Sequence, residues 1–177
     1  LGSSLKLSPE LGNVLFADTQ NGYIFSLASF ADLYAHQSDA IDTKALAKRL
    51  WGDIFYDATQ GTFSTNPSSK NSRRTFLEWI LEPLYKLYGQ VVAEEKDKLK
   101  VTLENLGLFL KESEYKLNVK PLLRLVLRLF FGEKRGIHAL VDMVDQHLPS
   151  PFDNARTKIE KYYLGDLNSP EATAMMK

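Results

Sequence analysis

The chain has 177 residues, of which 44% are apolar and 25% are charged, a composition typical of folded globular domains and unlike that of disordered or collagen-like proteins. Lys and Arg together number 22, as do Asp and Glu, so the formal net charge is zero, whereas free-standing nucleic-acid binders usually carry a clear basic excess. The absence of cysteine excludes disulfide scaffolds, thiolate metal sites and cysteine nucleophiles.

The sequence has no apolar run that approaches the roughly 18 residues of a membrane-spanning helix. Its first residues, Leu1-Gly2-Ser3-Ser4, lack the charged start and the apolar core of a signal peptide. We therefore expect neither a membrane span nor a membrane partner.

Two short hairpins are predicted in the first third of the chain. The apolar runs 13–17 and 23–25 flank Asn21-Gly22, a dipeptide that favours a tight turn between two strands. A second hairpin is expected within 54–65, followed by a polar loop over 66–71.

Helical periodicity begins at Ser26, which we expect to be the N-cap of the first helix. A second helix is predicted to be capped by Thr43 and to end at Gly52. The longest helix should start near Ser72, and Pro83 inside its apolar pattern predicts a kink at 82–83.

Three further helices are expected after this long one. The first covers about 94–106 and stops at Gly107; the second is opened by Pro121 and closed by Gly132, with a loop after it. The last strong helix is predicted over about 136–148, and a short strand at 159–164. This pattern predicts a mostly α fold with a few short β-strands.

The residues that could carry chemistry are few. The sequence has no glycine-rich phosphate cradle ending in Lys-Ser or Lys-Thr. His36 is placed in a polar loop, and His138 and His147 are nine residues apart, too far along a helix to share one metal ion. Two carboxylate pairs lie one helical turn apart and are interpreted as solvated helix faces: Glu78 with Glu82, and Asp142 with Asp145. We therefore predict no catalytic residue and no metal ligand.

A basic stripe is the most informative local feature. Lys116, Lys120, Arg124 and Arg128 follow one another at intervals of four residues, and Lys134 and Arg135 come shortly after. From 116 to 135 there are six basic residues and one acidic residue, Glu133. The stripe is either the solvated face of an amphipathic helix or a contact for RNA phosphates or an acidic partner.

Several blocks together resemble the later part of the GTPase domain of elongation factor 2 and its relatives, and their order along the chain is the same. The blocks are SPELGNVLFA at 8–17, FSLASFA at 25–31, AKRLWGD at 47–53, Glu82-Pro83, and HLPSP at 147–151. The resemblance covers nearly the whole chain.

Within that family, the chain is most similar to the spliceosomal branch, the elongation-factor-2-like GTPases of the U5 small nuclear ribonucleoprotein. Three blocks favour this branch: FLEWILEPLYK at 76–86, LNVKPLLRLV at 117–126, and FFG at 130–132. The alternative is a fragment of an elongation-factor-2-like ribosomal translocase, and a third possibility is a free-standing helical adaptor.

The resemblance implies the C-terminal part of a P-loop GTPase α/β domain that carries an inserted helical subdomain. The implied parts are the last strand region and guanine loop at 1–36, the helical insert at 37–135, the final GTPase helix at 136–151, and the start of a following β-barrel domain at 152–177. The phosphate loop, the switch segments and the guanine-specifying Asn-Lys-x-Asp motif of the family would lie upstream. This chain alone should therefore neither bind GTP well nor hydrolyse it.

The resemblance also implies function, cofactors and partners. GTP or GDP with Mg²⁺ would bind the full-length parent, and no cofactor is expected for this chain alone. The guanine loop maps to Ala17, Asp18 and Thr19, with Asp18 where the family tends to have Ser. The parent would be a nuclear GTP-dependent switch in spliceosome activation and disassembly. Its partners would be the large U5 scaffold protein and other U5 components, with possible RNA contact through the basic stripe.

Overall fold

The computed structural model describes residues 6–35 and 42–176, without the side chains of residues 133 and 134. Within this part the chain is mostly helical and contains two separate two-stranded antiparallel sheets, so the mostly α prediction is confirmed. The chain divides into two compact units between Leu140 and Val141. The predicted cap Thr43 is described, whereas His36 falls outside the described residues.

Both predicted hairpins are confirmed. In the first, β1 pairs with β2 in the register Phe16↔Phe25, and in the second, β3 pairs with β4 in the register Phe55↔Ser64. Gly22 takes a φ of +74° in the first turn, a conformation that glycine adopts without strain. The strands are β1 Phe16–Asp18, β2 Tyr23–Phe25, β3 Phe55–Asp57 and β4 Thr62–Ser64.

The first two helices lie close to their predicted positions. They are α1 Leu27–Ala35 and α2 Thr43–Arg49. Ser26 is a cap as predicted, because its hydroxyl accepts a hydrogen bond from the Ser29 amide at 3.2 Å. The predicted cap Thr43 is wrong: the Asp42 carboxylate accepts from Lys44 N and Ala45 N, and Thr43 is already helical.

The long helix begins at Thr75 rather than near Ser72. Thr75 is fully buried, its amide donates to the Ile54 carbonyl at 2.8 Å, and its hydroxyl donates to the Arg49 carbonyl at 2.6 Å. A π-helical segment at Leu77–Leu81 leads directly into α3 Glu82–Ala93. The helix therefore continues through Pro83, and its irregularity lies in the turn before the proline.

The next helices are α4 Lys96–Asn105, α5 Val119–Gly132 and α6 His138–His147. Gly107, with a φ of +74°, follows α4 as predicted. The predicted loop after Gly132 is wrong, since a π-helical segment at Glu133–Ile137 joins α5 to α6. Helix α5 also starts two residues before Pro121, because proline is tolerated in a first helical turn.

The predicted strand at 159–164 is also wrong. This region contains α7 Ala155–Tyr162, and sequence reasoning missed α8 Pro170–Met175, whose cap Ser169 accepts a hydrogen bond from Ala172 N at 3.1 Å. Residues 159–164 combine the β-forming Ile159, Tyr162 and Tyr163 with the charged Glu160 and Lys161, and a strand preference of this kind depends on its context in the fold. The assignment of 152–177 to the start of a β-barrel domain stays a prediction, as do the other predicted domain ranges.

The core of the first unit joins both hairpins to the helices. The large apolar side chains with at most 1% exposure come from α1, α4 and α5 and from the segments around residues 50 and 80. They are Leu27, Phe30, Leu50, Ile80, Leu103, Val126 and Leu127. Phe131 of α5 stacks on Tyr23 and Phe25 of β2, at centroid distances of 4.5 and 5.3 Å. This stacking fixes the first hairpin against α5. Among the helices in the described ranges, none has the length and apolar character needed to cross a membrane.

Candidate docking groove and predicted guanine loop

Asp18 ends β1 and organises the first hairpin turn. One of its carboxylate oxygens accepts hydrogen bonds from the amides of Gln20 and Asn21, at 2.9 and 3.1 Å. The other accepts from Asn21 Nδ2 at 2.7 Å and from the Tyr88 hydroxyl at 3.1 Å. The hydrogen bond from the Asn21 side chain is the main cause that lowers the pKa of Asp18, against the opposing effect of burial. The carboxylate is therefore compensated within the hairpin and by α3.

The predicted guanine loop lies at this turn. Ala17 is exposed and is paired with Ile24, whereas Thr19 is exposed in the turn itself. Hydrogen bonding to the Asp18 carboxylate favours its charged form. The contact of these three residues with a guanine base stays a prediction.

Tyr88 links α3 to the same hairpin. Its hydroxyl lies 3.1 Å from the Tyr23 hydroxyl as well as from the Asp18 carboxylate. Burial is the first cause that raises the pKa of both tyrosines. Sequence reasoning missed Tyr88, since its position on the apolar pattern of the long helix indicated only a core residue.

An open groove of about 1020 Å³ lies between the first hairpin, α5 and residues 136–138, where the π-helical segment passes into α6. Its apolar lining includes Tyr23 from β2, Leu125 and Leu129 from α5, and Ile137. Leu129 is 42% exposed and Ile137 is 58% exposed. Sequence reasoning did not identify this groove, because it forms only when the first hairpin packs against α5 and the segment after it, about 100 residues further along the chain.

The basic stripe is only partly a helical face. Lys120, Arg124 and Arg128 are exposed on α5, and none of them forms an ion pair with another residue in the described ranges. Lys116 lies in a 3₁₀ turn at Glu114–Lys116 that is followed by extended backbone, so α5 does not extend to it and Lys116 is not part of the helical face. The extended backbone at Leu117 separates Lys116 from α5, so the interval of four residues between Lys116 and Lys120 is not one turn of a helix.

Of the three basic α5 residues, Arg124 contacts the first hairpin and Arg128 lines the groove. Arg124 Nε donates to the Gln20 carbonyl in the hairpin turn at 2.8 Å. Arg128 lines the groove, and Asp18 is the acidic residue that lines it from the opposite element. The structure therefore places Arg128 at the groove and Arg124 at the hairpin turn, and their contact with a partner stays a prediction.

Arg135 has a structural role that the sequence did not reveal. Its guanidinium donates a hydrogen bond to the Phe130 carbonyl and lies 5.7 Å from the centroid of the Phe130 ring. Its own carbonyl accepts from the Ser29 hydroxyl at 2.6 Å, and burial lowers the pKa of its side chain. Its neighbour Lys134 belongs to the predicted stripe, but its side chain is outside the described part. Arg135 is therefore held against α5 and α1.

The described residues contain no group of three or more His, Cys, Asp or Glu side chains that could hold a metal ion. His138 is exposed at the groove, and His147 is the last residue of α6. In the carboxylate pair Glu78 and Glu82, Glu82 forms an ion pair with Arg73, with an N–O distance of 3.0 Å.

Comparison with known proteins identifies close relatives, although no protein-family model matches the chain. The chain is 41% identical to the pre-mRNA-splicing factor cwf10 of Schizosaccharomyces pombe. It is 42% and 41% identical to the 109 kDa and 110 kDa U5 small nuclear ribonucleoprotein components GFL and CLO of Arabidopsis thaliana.

Each alignment extends over 172 residues and covers 97% of this chain but only 17% of the relative. The chain thus spans about one sixth of the length of these relatives. The similarity to the spliceosomal branch that the sequence blocks indicated is confirmed. The chain is therefore a homologue of one segment of this family of U5 small nuclear ribonucleoprotein components.

Proposed function

We propose that the full-length protein containing this segment acts in pre-mRNA splicing as a component of the U5 small nuclear ribonucleoprotein in the nucleus. The observation that carries this proposal is the identity of 41–42% over 97% of the chain to proteins named as splicing factors and U5 components. In the finer form of the proposal, the full-length protein is a GTP-dependent conformational switch in spliceosome activation and disassembly.

This segment would serve the full-length protein as a structural and docking subdomain. The supporting features are the helical core and the exposed basic residues Lys120, Arg124 and Arg128, which have no ion-pair partner in the described part of the chain. Their partners would be other U5 components, including the large scaffold protein. The printed sequence has no phosphate loop, so phosphate and Mg²⁺ contacts would come from elsewhere in the full-length protein.

One part of a nucleotide site is proposed within this chain. The backbone amides of residues 17–19 would contact the guanine oxygen, as the resemblance implies. In support, the Asp18 carboxylate already accepts four hydrogen bonds inside the protein. These bonds compensate a charge that would otherwise be unfavourable beside a guanine carbonyl.

The experiment is affinity purification of the tagged full-length protein from nuclear extract, followed by sequencing of the RNA that purifies with it. We expect enrichment of U5 small nuclear RNA over a purification from untagged extract. Enrichment of ribosomal RNA instead would contradict the proposal and favour a ribosomal translocase.

A further inference from the structure

We propose that Tyr88 of α3 is a positioning residue for the nucleotide, because it holds the guanine loop at residues 17–19 through the Asp18 carboxylate. The inference rests on the proposed contact of these residues with the guanine oxygen, and it assigns to that contact a support on another helix. Asp18 and Tyr88 are 70 positions apart in the chain. The support therefore joins the first hairpin to a distant helical segment.

The Tyr88 hydroxyl contacts three groups of the first hairpin. It donates a hydrogen bond to the Asp18 carboxylate at 3.1 Å, since an ionised carboxylate can only accept. Because a hydroxyl has one proton, its oxygen accepts from the other two groups, the Asn21 side-chain amide and the Tyr23 hydroxyl, each at 3.1 Å. One donor and two acceptor positions are the whole capacity of a hydroxyl, so Tyr88 uses all of it on the hairpin.

The buried face of α3 holds Tyr88 in place. Leu84, Leu87 and Val91 of this helix are at most 5% exposed and belong to the core of the first unit. Tyr88 packs against the same core, and its spacing from these residues places it on the same face of the helix. The hydroxyl thus projects from a helix that the core fixes, so its hydrogen bonds restrain the position of the loop.

Asp18 passes this restraint to the backbone of the loop. One of its carboxylate oxygens accepts from the Gln20 and Asn21 amides, while the other accepts from the Asn21 side chain and from Tyr88. A single carboxylate therefore fixes the turn after β1 and attaches it to α3. Without these partners, the carboxylate could approach the guanine oxygen, and the two negatively polarised groups would repel each other.

The first hairpin has a second attachment, which does not depend on Tyr88. Tyr23 and Phe25 of β2 stack on Phe131 of α5, at centroid distances of 4.5 and 5.3 Å. This stacking holds β2, whereas Asp18 is the last residue of β1, next to the turn. We therefore expect loss of the Tyr88 hydroxyl to loosen the loop at residues 17–19 while β2 stays packed against α5.

The test measures GDP binding to the full-length protein by isothermal titration calorimetry. Tyr88→Phe keeps the ring and removes the hydroxyl, and it should weaken GDP binding about fivefold, the effect of impairing one hydrogen bond. The matched control is Tyr85→Phe, the same chemical change on the same helix at a side chain that is 66% exposed. This control should bind GDP as the wild type does.

A second nucleotide separates positioning from a general loss of stability. In 6-thio-GDP, sulfur replaces the guanine oxygen, and sulfur is a weak hydrogen-bond acceptor. The ratio of the affinities for GDP and 6-thio-GDP therefore reports the contact with the oxygen. We expect Tyr88→Phe to lower this ratio about threefold, whereas a merely less stable protein would lose affinity for both nucleotides equally. Unchanged GDP binding, or an equal loss for both nucleotides, would overturn the inference.

The wild-type protein separates this inference from the proposed function. If the wild type prefers GDP to 6-thio-GDP and Tyr88→Phe keeps the same preference, Tyr88 is not a positioning residue, while the proposed guanine contact stands. If the wild type does not bind GDP, or binds both nucleotides equally, the proposed contact of residues 17–19 is itself contradicted and the inference fails with it.

Discussion

At the scale of single residues, Asp18 connects two parts of the chain that are 70 positions apart. Its carboxylate holds the turn of the first hairpin through the Gln20 and Asn21 amides and reaches α3 through the Tyr88 hydroxyl. Tyr88 also contacts Tyr23. A half-buried polar cluster of this kind stabilises the fold only while each member keeps its partners.

Replacement of Tyr88 by Phe removes the hydroxyl and leaves the packing of the ring in place. We expect Tyr88→Phe to lower the free energy of unfolding by about 1–2 kcal/mol, because the Asp18 and Tyr23 side chains lose a hydrogen-bond partner in a partly buried site. Urea denaturation measures this change. Tyr85→Phe, at a tyrosine that is 66% exposed, is the matched control and should change stability by less than about 0.5 kcal/mol. Equal effects of the two variants would show that the cluster does not stabilise the hairpin.

Asp18 should also make stability depend on acid pH. The hydrogen bonds from Asn21 hold the pKa of Asp18 below its ordinary value of 3.8, so the folded state favours the carboxylate. The stabilisation that results is fully present above the unfolded pKa and is lost as pH falls through the lower folded pKa.

We therefore expect the difference in unfolding free energy between the wild type and Asp18→Ala to be constant above about pH 5 and to shrink in more acid solution. Urea titrations at a series of pH values measure this difference. A gap that stays the same down to about pH 3 would indicate that the Asp18 pKa is not shifted by folding.

At the scale of the elements, the long helix shows how a proline is accommodated. In a regular α-helix the amide of residue 83 would donate to the Trp79 carbonyl, but proline has no N–H. The segment Leu77–Leu81 is π-helical, and the Glu82 amide donates to the Leu77 carbonyl. The Trp79 carbonyl instead accepts the Tyr34 hydroxyl of α1 at 2.6 Å. The acceptor left free by Pro83 is thus used to join two helices.

This arrangement predicts a coupling between Tyr34 and Pro83. Tyr34→Phe should lower the free energy of unfolding by about 1–3 kcal/mol, because it leaves the Trp79 carbonyl without its partner. In a Pro83→Ala background the loss should be smaller, since the new amide of residue 83 can donate to the same carbonyl. A double-mutant cycle measured by thermal denaturation gives the coupling. If Tyr34→Phe costs the same in both backgrounds, the Trp79 carbonyl is not the link between the helices.

At the scale of the whole molecule, a chain with zero net charge concentrates positive charge on α5. The exposed cations Lys120, Arg124 and Arg128 lie on a helix whose opposite face is buried through Leu122, Val126 and Leu127. Since formation of the core does not require these charges, they are available for an interaction in a larger assembly.

We expect reversal of all three charges, by Lys120→Glu, Arg124→Glu and Arg128→Glu together, to lower incorporation of the full-length protein into the U5 particle about tenfold. The readout is the amount of U5 small nuclear RNA that purifies with each variant. The control replaces Lys86, Lys98 and Lys111 by Glu, an equal change of charge at exposed lysines on other segments.

A thermal melting curve checks that both charge variants are folded, because reversal of Arg124 also removes its hydrogen bond to the Gln20 carbonyl. Unchanged incorporation of the folded α5 variant would show that this face is a solvated surface.

The sequence by itself determined the elements that depend on local signals. Asn21-Gly22 predicted the first hairpin, Ser26 the start of α1, and Gly107 the stop after α4, because turn and cap preferences act over a few residues. The blocks at 76–86 and 117–126 indicated the U5 family, because similarity between sequences can be recognised without knowledge of the fold. Local signals did not show that an extended link separates Lys116 from α5. They also failed at the tail helix α7, because the strand preference of Ile and Tyr depends on their context in the fold.

Only the tertiary structure decided which of these elements meet. The contact between Asp18 and Tyr88, the hydrogen bond from the Ser29 hydroxyl to the Arg135 carbonyl, and the groove between β2 and α5 join residues far apart in the chain. Such contacts arise when apolar faces from several elements share one core, and the spacing of residues within one element does not specify them. The spacing of the basic residues on α5 could therefore be predicted from the sequence, whereas the groove near Arg128 results from tertiary packing.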